Sequence, residues 1–302
     1  MITFRNYIGD RTESGDYRKL HDFFAELHRY DYTYGRFDWM MTNWDYLEAD
    51  KLNLMGIWED DCRIVAVDTY DHDIDIITPL YKEDYEFLLD EMIDYALKNM
   101  RREHRDEFII YASDSDEALK RALHRKGFTA SEDKDMCAEF DLTEEIPEIK
   151  LPEGYRITSL DENEDLRQYV LCMFKGFDHE ANGELFEWND EREKLFHEAY
   201  DNREYLNKSL KVSVMDKDGN YVATCGMWYD KSSDMALIEP VCVVPECRRC
   251  GLGKAVVYEG LRRVKAMGAK IAVVGSSQQF YYSLGMMPHG TGTLWKLRVQ
   301  KN

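Results

Sequence analysis

No stretch of the 302-residue chain approaches the roughly twenty consecutive apolar residues that a membrane-spanning helix needs. The N-terminus also lacks the basic segment followed by an apolar one that marks an export leader. Seven cysteines, an odd number scattered over a long chain, argue against a disulfide framework. The sequence therefore predicts a protein without a membrane partner that stays in the reducing cytoplasm.

Positive charge is scarce: 39 lysines and arginines face 59 aspartates and glutamates, which gives a formal net charge of −20. A surface this acidic repels phosphate groups, so we expect no nucleic-acid partner. A cationic amine would be attracted to it. Many proteins, however, are acidic for solubility alone, so the charge by itself does not identify a substrate.

Signatures of several enzyme classes are missing. The chain contains neither the Gly-x-Ser-x-Gly turn of serine hydrolases nor the His-Glu-x-x-His motif of zinc proteases. Cys247 and Cys250 form the one cysteine pair with metal-ligand spacing, and no second pair accompanies them. We therefore predict no metal site.

The most informative stretch joins a strand, a glycine turn and a helix. Residues 238–244 are apolar and β-branched, and apolar residues recur at helical spacing over 254–267. Between them, Gly251 and Gly253 let backbone N–H groups approach a phosphate, and the start of a helix adds a partial positive charge. On its own such a turn also fits an ordinary connection between a strand and a helix.

Two well-known phosphate loops do not fit this turn. A Walker loop needs glycine at position 248 and Ser or Thr at position 255, where Arg248 and Ala255 stand. A dinucleotide-binding loop needs a third small residue at position 256, where Val256 stands. The order Arg-x-x-Gly-x-Gly over residues 248–253 remains.

This order resembles the acetyl-CoA motif of the GCN5-related N-acetyltransferases (GNAT), which is Gln/Arg-x-x-Gly-x-Gly/Ala between a strand and a helix. The second GNAT motif, Phe-Tyr-x-x-x-Gly-Phe about thirty residues later, is similar to the segment from Phe280 to Met286. The resemblance covers roughly residues 153–297 and implies acetyl-CoA as acyl donor. It implies contacts to this substrate from Val241, Val243, Arg248, Arg249, Cys250, Gly251, Leu252, Gly253 and Lys254.

Acyl transfer to an amine also needs a base and an acid. The resemblance makes Tyr281 the candidate acid for the departing thiolate. Glu239 is the candidate base, directly or through water, because period-two counting places it on the same strand face as Val241 and Val243. Pro240 cannot donate to a sheet ladder, so the strand is expected to bulge or leave its neighbour there.

The first half of the chain repeats the order of elements of the second half, which indicates a tandem duplication. We therefore predict an α/β fold of two acyl-CoA N-acyltransferase-like domains, each a mixed, mostly antiparallel sheet flanked by helices. Where the first half should carry the phosphate turn, residues 81–84 hold no glycine and two carboxylates, and Leu123 takes the place of Tyr281. Residues 1–145 are thus expected to form a degenerate domain that is structural or forms one wall of the substrate cleft.

Residues 146–154 are the predicted linker, and residues 155–302 the predicted catalytic domain. The expected function is transfer of an acetyl group from acetyl-CoA directly to a primary amine of a small molecule or peptide. The alternative is a non-catalytic acyl-CoA-binding sensor or scaffold. In the resembled fold, Phe177–Trp188 belongs to the variable acceptor-binding part. The sequence leaves open the acceptor, the acyl chain length, the formation of a homodimer, and whether Glu239 or a water chain is the base.

Overall fold

The computed structural model describes residues 1–43, 46–102, 104–201 and 203–299. The chain divides into two compact units, each made of strands and helices. The first unit comprises Met1–Ala138, Gly275–Gln278 and Pro288–Asn302, and the second comprises Glu139–Val274 and Gln279–Met287. The predicted α/β architecture with mixed sheets is confirmed.

The strands are β1 (Ile2–Asn6), β2 (Gly56–Asp60), β3 (Arg63–Asp71), β4 (Asp73–Tyr81), β5 (Glu107–Ser113), β6 (Thr129–Asp141), β7 (Arg156–Ser159), β8 (Lys211–Met215), β9 (Tyr221–Trp228), β10 (Met235–Val243), β11 (Ile271–Val274) and β12 (Met287–Arg298). The helices are α1 (Tyr17–Leu27), α2 (Tyr34–Thr42), α3 (Leu89–Asn99), α4 (Glu117–Arg125), α5 (Leu166–Gly176), α6 (Asp190–Tyr200), α7 (Leu252–Met267) and α8 (Gln279–Tyr282). The order from β1 to β6 repeats from β7 to β12, as the sequence predicts.

Local sequence determines where many of these elements begin. Thr33, Asp116, Asp165 and Asn189 precede helices α2, α4, α5 and α6, and each side chain accepts a hydrogen bond of 2.9–3.0 Å from the backbone N–H three residues ahead. Such caps satisfy one of the N–H groups that every helix start leaves without an intrahelical partner.

In the first unit, β1, β2, β3 and β4 pair antiparallel in sequence order, and β4 pairs parallel with β5. The last strand of the chain, β12, pairs antiparallel with β5 from Gly292, opposite Ser113, to Arg298, opposite Glu107. Trp295 of β12 is 4% exposed, and its ring meets the His124 ring edge-on at 4.7 Å. The C-terminal strand is therefore part of the core of the first unit.

These units differ from the predicted ranges 1–145 and 155–302. The second unit begins at Glu139 and includes the predicted linker, and residues 288–302 belong to the first unit. The alternation of apolar and polar residues in a strand specifies its buried face and not its partner. The sequence pattern consequently located β12 but could not assign it to a sheet.

In the second unit, β7, β8, β9 and β10 pair antiparallel in sequence order, and β10 pairs parallel with β11. Helix α5 packs on one face of β10, where a Cβ added at Gly176 would lie 2.6 Å from the Cys242 Sγ. Helix α7 packs on the other face, where a Cβ at Gly253 would lie 3.2 Å from Val243. Along the described ranges, no helix combines the length and the apolar character needed to cross a membrane.

The packing of β12 on β5 can be tested at two glycines. A Cβ at Gly292 would overlap the Tyr111 ring, whereas a Cβ at Gly290 would meet nothing within 4 Å. We expect Gly292→Ala to lower the free energy of unfolding by about 1–3 kcal/mol and Gly290→Ala to change it by about 0.5 kcal/mol or less. Both substitutions reduce the conformational entropy of the unfolded chain by the same amount. The difference between the two free energies of unfolding, measured in urea, therefore reports the overlap with the Tyr111 ring alone. Equal effects would contradict this packing.

Candidate functional site

The second unit has a gap in its sheet where β10 leaves β11. The two strands pair only from Met235, opposite Ile271, to Leu237, opposite Val273, although β10 continues to Val243. Against β9, β10 shifts register between Ile238 and Val241, which is a bulge at Pro240. The structure thus confirms that the strand bulges and separates there.

Two residues of β9 accommodate the bulge. A Cβ at Gly226 would overlap the Glu239 carbonyl oxygen and would lie 2.9 Å from the Pro240 Cδ, so only glycine fits. The Trp228 Nε1 donates a 2.8 Å hydrogen bond to the same Glu239 carbonyl oxygen. The bulge is therefore held by specific contacts. Sequence reasoning missed both residues, although a glycine inside a strand is a signal of a bulge or a close approach.

The side chains of β10 alternate in exposure along the separated part. Glu239, Val241 and Val243 are half-buried, while Pro240 and Cys242 are buried. Because Cys242 faces α5, the neighbouring Val241 and Val243 side chains point to the opposite face of the strand. The common face of the two valines agrees with the period-two count, whereas the placement of Glu239 on that face stays a prediction because the bulge lies between Glu239 and Val241.

The turn after β10 leads into α7 through two left-handed residues, Arg249 with φ of 67° and Gly251 with φ of 83°. No side chain caps the start of α7. Ala255 donates its backbone N–H to the Gly251 carbonyl oxygen at 3.0 Å, whereas the N–H groups of residues 252–254 have no intrahelical acceptor by geometry. A Cβ at Gly251 would meet nothing within 4 Å, so the approach to these N–H groups is open.

The basic side chains of the turn have different surroundings. The Arg248 guanidinium donates to the carbonyl oxygens of Val243 at 3.1 Å and Gly176 at 3.0 Å, and to the Asp178 carboxylate at 2.8 Å. Arg248 thus ties the turn to the end of α5. Arg249 and Lys254 are exposed at the helix start. A partial positive charge from the helix and full charges from these two side chains make this an electropositive site.

Tyr281 lies on the short helix α8 and is 7% exposed. Burial, and to a smaller extent the charge of the Glu239 carboxylate, raise the pKa of the Tyr281 phenol above its ordinary value. The preceding residue, Phe280, contacts the start of α7, because a Cβ at Gly253 would lie 3.4 Å from its ring. The folded chain therefore brings the end of β10, the start of α7 and α8 together.

The two cysteines of the turn, Cys247 and Cys250, contact different groups of the protein. The Cys247 Sγ lies 3.9 Å from the Tyr155 hydroxyl, and the Cys250 Sγ lies 3.6 Å from the Arg248 carbonyl oxygen. Elsewhere in the second unit, Glu164, His197 and Asp201 bring three potential metal ligands together. The Lys208 ammonium binds both carboxylates of that group. A cation of the protein itself thus already pairs with the two carboxylates of this group.

Comparison with known proteins agrees with this geometry. Residues 168–286 match the model of the acetyltransferase (GNAT) family. None of the curated proteins matches the chain. A GCN5-related N-acetyltransferase from Sphaerobacter thermophilus shares the fold, with a TM-score of 0.59 and 14% identity over 98% of this chain and 95% of that chain.

Two further solved structures have a similar fold. One is a tandem GNAT protein from the clavulanic acid biosynthesis pathway, with a TM-score of 0.59 and 12% identity over 99% of this chain and 98% of that chain. The other is the Saccharomyces cerevisiae N-myristoyltransferase with bound myristoyl-CoA, with a TM-score of 0.53 and 12% identity over 98% of this chain and 79% of that chain. At sequence identities this low, the similarity to these structures shows a shared fold and nothing further.

The family match spans every candidate site residue, from Glu239 to Tyr281. The resemblance inferred from the two sequence motifs is confirmed, and the tandem arrangement is consistent with the similar structures. Residues 168–286 of this chain thus match the GNAT acetyltransferase family, whose fold supports acyl transfer from an acyl-CoA.

Proposed function

We propose that the chain is an N-acetyltransferase that moves an acetyl group from acetyl-CoA directly to a primary amine at the second unit. The observation that carries this proposal is the convergence of an uncapped helix start, a strand separated from its neighbour and a short helix that carries the buried Tyr281. Each part serves one requirement of the transfer.

The start of α7 would hold the CoA pyrophosphate. Its N–H groups at Leu252, Gly253 and Lys254 are available, and a phosphate there gains from the helix dipole. Arg249 and Lys254 add charge, and the Cys250 backbone continues the turn. Arg248 positions the turn through its contacts to Val243 and Gly176.

The separated part of β10 would bind the pantetheine arm and the thioester. Its backbone at Val241 and Val243 lies beyond the last residue pair with β11. The Val243 carbonyl oxygen already accepts from Arg248, so the Val243 N–H and the polar groups of Val241 on that side are the ones left for an extended ligand. Preorganised backbone donors are an effective way to stabilise the oxygen charge that develops in acyl transfer. Side-chain identity at these two positions matters little in this role.

The proposed reaction forms one bond and breaks one bond. The Glu239 carboxylate first takes a proton from the alkylammonium group, directly or through water. The neutral amine nitrogen then attacks the thioester carbonyl carbon and loses its second proton to solvent. The C–S bond then breaks, and the Tyr281 hydroxyl gives its proton to the departing CoA thiolate. Glu239 and Tyr281 return to their starting states by proton exchange with solvent. An alkyl amine is mostly protonated at neutral pH, which is why a base is needed.

The acceptor would bind near the segment between α5 and α6. There Phe186 stacks on Trp188 at 6.2 Å and Trp188 stacks on Phe196 at 5.5 Å, with the two earlier rings half-buried. The nearby His179 Nδ1 contacts the Glu184 carboxylate at 2.8 Å. These contacts fit an amine with an apolar body, and small amines, amino acids, antibiotics and peptides all meet that description.

The phosphate-binding role of the α7 start can be tested at Gly251. Gly251→Glu places a carboxylate beside the N–H groups of residues 252–254, whereas Gly251→Gln has the same size and no charge. We expect Gly251→Glu to abolish acetyl-CoA binding in calorimetric titration and Gly251→Gln to retain measurable binding. Equal affinity of the two variants would show that no anion binds there.

The acid role of Tyr281 can be tested against its neighbour Tyr282. Tyr281→Phe removes only the hydroxyl, so we expect kcat to fall by about a hundredfold or more while acetyl-CoA affinity changes little. Tyr282→Phe is the matched control and should retain activity. Because the pKa of Tyr281 is raised, its proton stays in place at neutral and mildly alkaline pH, and loss of the acid should not reduce the wild-type rate there.

Release of the CoA thiol, measured over a panel of amines, gives the activity of Tyr281→Phe and Tyr282→Phe. The same assay distinguishes an enzyme from a sensor. Release of free CoA thiol with one class of amine identifies the acceptor class. Acetyl-CoA binding without release for any amine would instead support a non-catalytic acyl-CoA-binding protein. Full activity of Tyr281→Phe would remove Tyr281 from the mechanism.

A further inference from the structure

The first unit contains a cavity of about 620 Å³ that the proposed acyl transfer does not use. Its walls come from the end of β4, the start of α4, the residues that follow α1, and the beginning of β12. A cavity of this size accommodates a small molecule. Every described residue that lines it belongs to the first unit.

The position of this cavity in the fold corresponds to the acyl-CoA site of the second unit. Strands β4 and β5 pair parallel only at Ile76, opposite Ile109, and Ile77, opposite Ile110. Beyond these pairs β4 continues to Tyr81 and β5 continues to Ser113, and the cavity lies at these carboxyl ends. In sheets with parallel strands, ligands bind where the carboxyl ends of neighbouring strands separate.

The charge of this cavity is opposite to that of the second-unit site. Among the described residues that line it, five are carboxylates and two are arginines. The carboxylates are Asp31, Glu83, Glu86, Asp116 and Glu117, and the arginines are Arg29 and Arg121. An excess of negative charge in a concave site concentrates cations and excludes phosphates.

Arg29 is already neutralised by the protein. Its guanidinium binds the Asp31 carboxylate through two hydrogen bonds of 2.9 and 2.6 Å and reaches the Asp116 carboxylate at 3.3 Å. Asp116 also accepts a 2.5 Å hydrogen bond from the Tyr81 hydroxyl. In this network two carboxylates offset the positive charge of Arg29, so Arg29 does not attract an anionic ligand.

The outer carboxylates are exposed at the mouth of the cavity and differ in their partners. In the part of the chain that the structure describes, the Glu83 side chain makes no hydrogen bond or ion pair. Glu86 faces Arg121 at 3.8 Å, and both side chains are exposed, so this pair is weak. Glu117 binds Lys120, which lies one helical turn further along α4.

Aromatic rings provide the apolar part of the wall. The Tyr30 and His289 rings lie 3.7 Å apart, and both line the cavity together with Tyr81. An ammonium group is attracted to an aromatic face, and methylene groups pack against it. The walls therefore suit a ligand that alternates ammonium groups with short alkyl chains.

We propose that the first unit binds a small alkyl diamine or polyamine in this cavity, with its ammonium groups at Glu83, Glu86 and Glu117 and its methylene groups against Tyr30 and Tyr81. The proposal stands independently of acyl transfer at the second unit. It assigns a ligand-binding role to the repeat that has no phosphate turn.

The test is calorimetric titration of spermidine into the full chain and three variants. Ala118 lines the cavity on the half-buried side of α4, and Ala118→Trp fills the space without changing charge. Glu83→Gln removes one lining charge, and Asp84→Asn removes one charge from the same turn outside the lining. We expect saturable binding to wild type, no binding to Ala118→Trp, about fivefold weaker binding to Glu83→Gln, and less than twofold change in Asp84→Asn.

Thermal unfolding identifies variants that retain the fold, and the Glu83→Gln and Asp84→Asn pair decides the question if Ala118→Trp does not fold. The proposal is overturned by absence of saturable heat with wild type, by equal effects of Glu83→Gln and Asp84→Asn, or by full binding to a folded Ala118→Trp, which would place spermidine elsewhere. Acetyl-CoA binding that persists in Gly251→Glu and disappears when Ala118→Trp is added would show an anion site and overturn it as well.

Discussion

The proposed site depends on one structural constraint, which is that β10 must leave β11 before its own end. An extended ligand can hydrogen-bond to a strand only where no neighbouring strand already does. The sheet gives up ladder hydrogen bonds with β11 for this. On the side of β9, the bulge contains Pro240, which has no N–H to leave unsatisfied and whose Cδ lies near Gly226. Gly226 gives the bulge its space, and the Trp228 side chain satisfies the Glu239 carbonyl oxygen. Binding at this strand therefore rests on the residues of the neighbouring strand.

The two repeats carry opposite charges on a common scaffold. Both separate a pair of parallel strands after a few residue pairs, and both place a helix start next to the opening. In the second unit that start carries Gly251 and the exposed side chains of Arg249 and Lys254. In the first unit it carries Glu83 and Asp84, whose carboxylates complement the partial positive charge of the helix start themselves. The same backbone geometry thus favours an anion in one unit and a cation in the other.

The sequence was sufficient for those features that depend on neighbouring residues. The glycine spacing over 248–253, Pro240 in the middle of a strand and the order of elements in the two repeats predicted the turn, the bulge and the tandem fold. The contacts of Arg248 could not be predicted, because its acceptors at Gly176 and Asp178 are about seventy residues away. The place of β12 in the first unit could not be predicted for the same reason, because its partner β5 lies far away in the sequence. The first-unit cavity could not be predicted either, since its wall combines five separate segments of the chain.

The electrostatic relation between Glu239 and Tyr281 bears on the proposed mechanism. A phenol with a pKa above 10 gives its proton to a thiolate whose conjugate thiol lies near 8.5 at an expense of about 2 kcal/mol or more. Burial and the Glu239 carboxylate both raise the pKa of Tyr281 before the reaction, which keeps its proton in place. Once Glu239 has taken the amine proton it is neutral, and its contribution to the raised pKa disappears. The base would thereby make Tyr281 a stronger acid at the step in which the thiolate leaves.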